Sequence, residues 1–280
     1  MDLAYYDGSF LPLCDVKIGM DDRAFFFGDG VYDAMVGRGG KIHLEGEHLC
    51  RFRRSLLALS LEVAQSDEEI HGILGSLLSA VGDGDAFLYI QANRARPERN
   101  HSCLYHHTAH LFAYAKSITL PDENKPLSLV TVEDNRYSLC HIKTVNLLPN
   151  VLASTYAERM GADEAVFVCD GVVRECSHSS ISILLDGVLV THPLDCHILP
   201  GVMRGELLRT ALECGIAVKE DYYTLKELLR AEGVLVSSTT RRVQMAKSID
   251  AIALPEPSEL TKMLHKRINL DFYEKMGKIH

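Results

Sequence analysis

The sequence predicts an α+β protein of two domains. Strand-like apolar stretches come in pairs closed on tight turns, and helical stretches interrupt them rather than alternating with them one for one. A polar, proline-bearing segment, "SITLPDENKPLS", divides the chain. With 280 residues, 47% of them apolar and 24% charged, there is enough chain for two moderate cores.

Each element follows from a local signal. "DLAYYDGSFLPL" reads as two short strands around Asp7-Gly8, and "VYDAMV" and "KIHL" repeat that logic on a glycine-rich turn. "EGEHLCRFRRSLLALS" places Leu49, Phe52, Leu56 and Leu59 at helical spacing, and "DEEIHGILGSLLSAV" predicts a second helix. "AFLYIQAN" and "AHLFAYAK" read as buried strands. The division then gives an N-terminal α/β domain over 1–117, a linker over 118–124 and a C-terminal domain over 125–280. Beyond the linker, "LSLVTVE" is a strand. "NLLPNVLASTYAERMG" is a helix, with Pro149 tolerated only in its first turn and Gly161 at its end. "EAVFVCDGVVREC" and "ISILLDGVLVTH" form hairpins on Asp-Gly turns. "GVMRGELLRTALECG" is a helix closed by Gly215, "GVLVSSTT" is a strand running into hydroxyls, and "SELTKMLHKRINLDFYEKMG" is a last amphipathic helix.

Composition removes several function classes. A net charge of −9 gives no electrostatic support for nucleic-acid binding. No apolar run reaches membrane-spanning length, and the first residues lack a basic start and a long apolar stretch. The eight cysteines form no C-x-x-C pair, so they are expected as free thiols in the cytoplasm. "YHHTAH" offers His106, His107 and His110 without a second cluster at zinc-like spacing, and no metal is expected.

Chemistry enters with "CHIKTVNLLPN". Lys143 stands among Ile142, Val145, Leu147 and Leu148 with no carboxylate within five residues on either side. It is either a lysine whose head snorkels into water or a desolvated amine acting as a nucleophile toward carbonyls. "ILPGVMRGELL" leads Pro200 and Gly201 into a helix whose first N–H groups, at Val202 and Met203, suit a phosphate. "VSSTT" ends a strand on four hydroxyl residues. "FGDGVYD" lacks the third glycine of a dinucleotide fingerprint. Glu175, in "VVRECSHSS", is either a surface partner of Arg174 or a carboxylate facing a heterocyclic nitrogen.

Taken in order, "DDRAFFFGDGVYD", "HLCRF", "HIKTVNLLPNVLA", "VRECSHSS", "THPLDCHILPGVMR" and "VLVSSTT" resemble the class IV aminotransferases, the fold-type IV pyridoxal-phosphate enzymes. The resemblance covers essentially the whole chain. It implies a two-domain enzyme with pyridoxal 5′-phosphate held between the domains, the C-terminal one supplying most of the cofactor site. Residue by residue, it makes Lys143 the Schiff-base lysine and Glu175 the glutamate facing the pyridine nitrogen. It makes Arg51 a phosphate ligand, with the backbone at Val202 and Met203 and the hydroxyls of Ser238 and Thr239. Tyr32 becomes an active-site tyrosine. The roles agree chemically: the ring accepts the electron pair left at the substrate α-carbon, and the lysine moves the proton.

"NRARPERNH", with Arg94, Arg96 and Arg99, is either a solvated basic loop or the loop that, in D-amino-acid transaminases, carries an arginine and a histidine two apart. Arg99 and His101 fit that spacing. By resemblance they reach the partner subunit's site and, with Tyr32, hold the substrate carboxylate, which implies a homodimer. The expectation is therefore a transaminase moving an amino group from an amino acid, a D-amino acid favoured, to a 2-oxo acid. Aminodeoxychorismate lyase and a branched-chain L-amino-acid aminotransferase are the alternatives within the fold. A non-catalytic binding protein is the alternative outside it. Arg241 and Arg242 stand where the family continues with an apolar residue and proline; they either read an acidic substrate group or are surface charge.

Overall fold

The computed structural model describes residues 2–95, 99–104 and 106–277, so Arg96 of the basic loop lies outside the described residues. The chain divides into two compact units. One holds Met1–Leu120, Ile142–Asn146 and Lys275–His280, and the other Pro121–His141 and Leu147–Glu274. The segment with Lys143, expected in the C-terminal part, thus counts with the first unit. Backbone pairing explains this: Tyr32 N–H donates to Lys143 O at 3.0 Å, and Val31 and Thr144 form an antiparallel bridge. Asn146 adds a side-chain contact, its Nδ2 donating to Gly28 O at 2.8 Å. Gly28 has φ +60°, and a Cβ there would lie 2.2 Å from Asn146 Oδ1, so only glycine fits.

The first unit is a six-stranded antiparallel sheet in the order β2-β1-β6-β5-β3-β4. Its strands are β1 Leu3–Tyr6, β2 Ser9–Pro12, β3 Gly30–Arg38, β4 Lys41–Ile42, β5 Ala86–Arg94 and β6 Ala109–Ser117. Helices α2 (Glu45–Ala58) and α3 (Asp67–Val81) cover one face, burying Phe52, Leu56, Leu74 and Leu77 against Met35, Leu88, Ile90 and Leu111. Ser66 and Glu69 start α3 with a reciprocal capping box. A five-residue helix, α1 (Arg23–Phe27), precedes β3; it is too short to show a helical period in sequence.

Alternation along β3 and β5 splits the sheet into two chemistries. Val31, Asp33 and Met35 face the helices. Tyr32 and Tyr89 lie on the opposite face, with ring centroids 5.5 Å apart, and Tyr114 lies 5.3 Å from Tyr89.

The second unit is a nine-stranded mixed sheet in the order β12-β11-β10-β13-β14-β7-β8-β9, with β15 paired to β14. These are β7 Leu127–Glu133, β8 Glu164–Cys169, β9 Val172–Cys176, β10 Ser180–Leu185, β11 Val188–Thr191, β12 Ala217–Glu220, β13 Gly233–Ser238, β14 Arg242–Ile249 and β15 Ile252–Ala253. Helix α4 (Leu148–Arg159) packs Ala153 and Ala157 on Val130, Ala165 and Phe167. The other helices are α5 (Val202–Glu213), α6 (Leu225–Leu229) and α7 (Glu259–Met276). β14 escapes the sequence reading because Arg242, Val243 and Gln244 are all buried, which breaks the apolar-polar alternation of a half-buried strand. Among the described residues, no helix is long and apolar enough to cross a membrane.

Candidate active site

In the first unit, Lys143 is half-buried, and its Nζ lies 4.2 Å from the centroid of the Tyr32 ring. Its backbone N–H donates to Ser55 Oγ on α2 at 3.2 Å. The lysine and the tyrosine expected to share a site are therefore in contact.

Arg51 sits on the buried face of α2, not in solvent. It grips Asp33 with Nε at 2.8 Å and Nη2 at 2.7 Å. His48, one turn earlier, places Nδ1 2.8 Å from the same carboxylate. Burial pushes the Asp33 carboxyl up, but Arg51 and His48 outweigh it and hold it well below the usual carboxylate range. His48 goes the other way. Its burial outweighs the attraction of Asp33 and lowers the ring below ordinary histidine. Motif spacing does not single out Asp33 or His48. The signal available was a carboxylate at a helix-facing position of β3, which needs a cation opposite it.

Arg99 and His101 are exposed between β5 and β6. The Arg99 guanidinium lies 5.7 and 5.5 Å from the rings of Phe26 and Phe27, and His101 packs 5.0 Å from Phe27. Arg94, grouped with the solvated loop, is instead 4% exposed and internal.

In the second unit, Glu175 is buried, and its partner is Arg136 rather than Arg174. Its Oε2 also accepts the Leu199 N–H at 3.0 Å. Arg136 in turn forms a fork on Asp134, Nε to Oδ1 and Nη2 to Oδ2, each at 2.9 Å, and lies 4.1 Å over Phe167. Arg174 reaches Asp134 Oδ2 at 2.8 Å. Nearby Cys140 is pushed up to about 11, chiefly by burial, so this thiol stays protonated at neutral pH.

Leu199 stands two residues before Gly201, the N-cap of α5, where no side chain caps the helix. The N–H groups of Val202 and Met203 open that helix. A Cβ on Gly201 would sit 2.5 Å from Ser180 Oγ, and Ser180 pairs with Ser237 across β10 and β13. Glu175, the start of α5 and the hydroxyl end of β13 are therefore brought together. Ser237 Oγ is buried without a hydrogen-bond partner, and Ser238 Oγ accepts the Arg241 N–H at 3.4 Å in the turn through Thr239.

The family model described as amino-transferase class IV matches residues 30–249, which span both units. The chain belongs to the class IV aminotransferases. It is 34% identical over 253 residues to the D-alanine aminotransferase of Staphylococcus haemolyticus, covering 89% of this chain and 90% of that one. In fold it matches the branched-chain aminotransferase of Thermoproteus uzoniensis with norvaline, with a TM-score of 0.88 and 23% identity over 98% of this chain and 96% of that one. It also matches a T.th. branched-chain amino acid aminotransferase with pyridoxamine 5′-phosphate, with a TM-score of 0.87 and 21% identity over 98% and 94%. The protein is a pyridoxal-phosphate-dependent aminotransferase of fold type IV, moving an amino group from an amino acid to a 2-oxo acid.

Each unit carries groups chemically suited to that cofactor: a lysine amine in the first, and in the second a buried carboxylate fixed by an arginine and an uncapped helix start beside a hydroxyl-rich strand end. Arg241 and Arg242 belong to neither set. Arg241 donates to Gln244 Oε1 at 3.1 Å and Asp163 O at 3.3 Å, and its Nε lies 3.4 Å from Glu164. Arg242 is buried, donates to Pro121 O at 2.9 Å and stacks toward Phe272 and Tyr273. Neither is surface charge, and both side chains are engaged within the second unit.

Proposed function

We propose that the enzyme is a homodimeric, cytoplasmic D-amino-acid aminotransferase, with D-alanine the donor of first choice. The observation that carries the reading is the exposed Arg99 and His101 on their aromatic seat, in a chain 34% identical to a D-alanine aminotransferase. The guanidinium offers two parallel N–H groups to an α-carboxylate, and an exposed pair can reach the partner's site. Exposed Phe25 and Leu104, close in sequence to these residues, support a covered surface there. All eight cysteines are free thiols, which supports a reducing compartment.

The residue roles follow. Lys143 would hold the cofactor covalently; once displaced by substrate, its Nζ would carry the proton from the substrate α-carbon to the cofactor. Glu175, fixed by Arg136 and the Leu199 N–H, faces the pyridine nitrogen. Arg51, the N–H groups of Val202 and Met203, and the hydroxyls of Ser238 and Thr239 hold the phosphate. Tyr32, Arg99 and His101 hold the substrate carboxylate. When bound, pyridoxal phosphate supplies an electron-accepting ring to the substrate carbon.

The test is a half-reaction screen following the cofactor spectrum with D- and L-alanine, glutamate and leucine. D-alanine and D-glutamate should convert the cofactor fastest. A preference for L-leucine would refute D-specificity, and formation of 4-aminobenzoate from aminodeoxychorismate would establish the lyase.

A further inference from the structure

Two buried arginines hold the backbone of the loop that carries Arg99 and His101, and one carboxylate holds both arginines. Asp29 Oδ2 accepts from Arg23 Nε at 2.7 Å and from Arg94 Nε at 3.0 Å. Arg23 and Arg94 are 3% and 4% exposed. Arg94 stands where the loop leaves β5. Its Nη1 donates to His106 O near the loop's return, and its Nη2 to Leu59 O at 2.6 Å. Arg23, at the start of α1, donates to Asn100 O and lies 3.5 Å from His101 O. Its guanidinium is also 4.7 Å from the Phe27 ring, the same ring that seats Arg99 and His101.

Burying two cations on one carboxylate is a weak way to gain stability. It is an effective way to select one backbone path, because a guanidinium presents its N–H groups in a fixed fork. The carbonyls selected belong to Asn100, between the two residues assigned to the substrate carboxylate, to His101 itself and to His106, near the loop's return.

We infer that Asp29, acting through Arg23 and Arg94, is a positioning device that sets where Arg99 and His101 stand and so sets the affinity for the substrate α-carboxylate. This rests on the reading that the pair grips that carboxylate across a dimer. Arg23 and Asp29 touch neither substrate nor cofactor in this scheme. Their loss acts on the loop of one subunit and the site of the other.

Subunit mixing tests this. Arg23→Gln should raise KM for D-alanine roughly 10- to 100-fold, the scale of a slightly misplaced positioning group. The spectrum and retention of bound cofactor should stay as in the wild type. Asp29→Asn, nearly isosteric, should do the same. Refolding Arg23→Gln chains with an equal amount of Lys143→Ala chains should restore wild-type KM in about a quarter of the sites. Half the dimers are then mixed, and each mixed dimer joins one intact lysine to one intact loop. Arg99→Ala mixed with Lys143→Ala is the reference. If that pair restores KM and the Arg23→Gln pair does not, the positioning role is wrong while the carboxylate reading stands. Normal KM in Arg99→Ala itself would remove the reading beneath it. Unchanged KM in both Arg23→Gln and Asp29→Asn would also overturn the inference.

Discussion

Arg51 gives Nε and Nη2 to Asp33, so the carboxylate fixes the guanidinium that is proposed to hold the phosphate. Arg51→Ala should weaken cofactor retention by roughly ten- to a hundredfold, the scale of one charge-assisted contact. The half-reaction rate of the loaded enzyme should change far less; equilibrium dialysis and stopped-flow spectra separate the two. Removing Asp33 instead strands buried Arg51, and Asp33→Ala should cost about 3–5 kcal/mol in urea unfolding. The pH dependence follows from the two shifted groups. Asp33 is depressed in the fold, so its contribution is complete above the unfolded value of about 3.9 and is lost as pH falls below it. His48 is depressed too, but as a base. Below about pH 6.5 the unfolded chain takes a proton that the folded ring resists, so stability falls as pH drops through that region. His48→Gln should flatten the fall in urea midpoint between about pH 7.5 and 5; an unchanged slope would place the responsible group elsewhere. At Lys143, borohydride should fix the cofactor to this residue, as read by peptide mass. A reducible linkage surviving in Lys143→Ala would move the assignment.

Elements of regular pattern were legible in the sequence, and those built on buried polar chemistry were not. The Asp-Gly hairpins β8–β9 and β10–β11 announce themselves through turn residues, and α2 and α3 through their apolar period. β14 does not, since its buried face begins with Arg242 and Gln244, which meet the backbone of residues 121–125. The expected polar linker therefore has much of its length fastened inside the second unit. The same limit applies to the site. The family resemblance singles out Lys143, Arg51 and Glu175, but Asp33 and Arg136, which engage Arg51 and Glu175, come from other elements and appear only when the strands are paired. Tyr89 is a further case. Its hydroxyl donates at 2.5 Å to Oε1 of Gln91, two positions along the same face of β5, and Gln91 continues to Asn93 at 2.8 Å. Burial pushes this phenol well above its ordinary range, with Tyr32 and Tyr114 adding to it, so it stays a donor. For Arg242 the structure changes the expectation. Arg242→Ala leaves Glu123 without its buried cation and should destabilise the protein by about 3–5 kcal/mol while leaving the D-glutamate to D-alanine preference intact. A selective loss on D-glutamate with normal stability would return Arg242 to a substrate role.

At the scale of the whole molecule, the question is how many chains make a working site. Along α4 and its C-cap, Leu148, Leu152, Tyr156 and Met160 recur every four residues and are all exposed, with Val151 beside them. An exposed apolar stripe of that kind suits a surface covered by a second copy of the chain, as the proposed homodimer would supply. In the first unit, Arg99 and His101 are exposed, with Arg23 donating to Asn100 O between them, which suits the proposed clamp supplied in trans. In a symmetric pair each chain gives its loop and receives its partner's. Sedimentation should therefore show a dimer at assay concentration. On dilution, KM for D-alanine should rise as dimers dissociate, because the clamp leaves with the partner. The covalent hold at Lys143 stays with its own chain, so the bound-cofactor spectrum should change later. Leu152→Glu should bring the KM rise to higher protein concentration. A monomer with full activity and wild-type KM would break the argument, since Arg99 and His101 would then have to serve the chain that carries them.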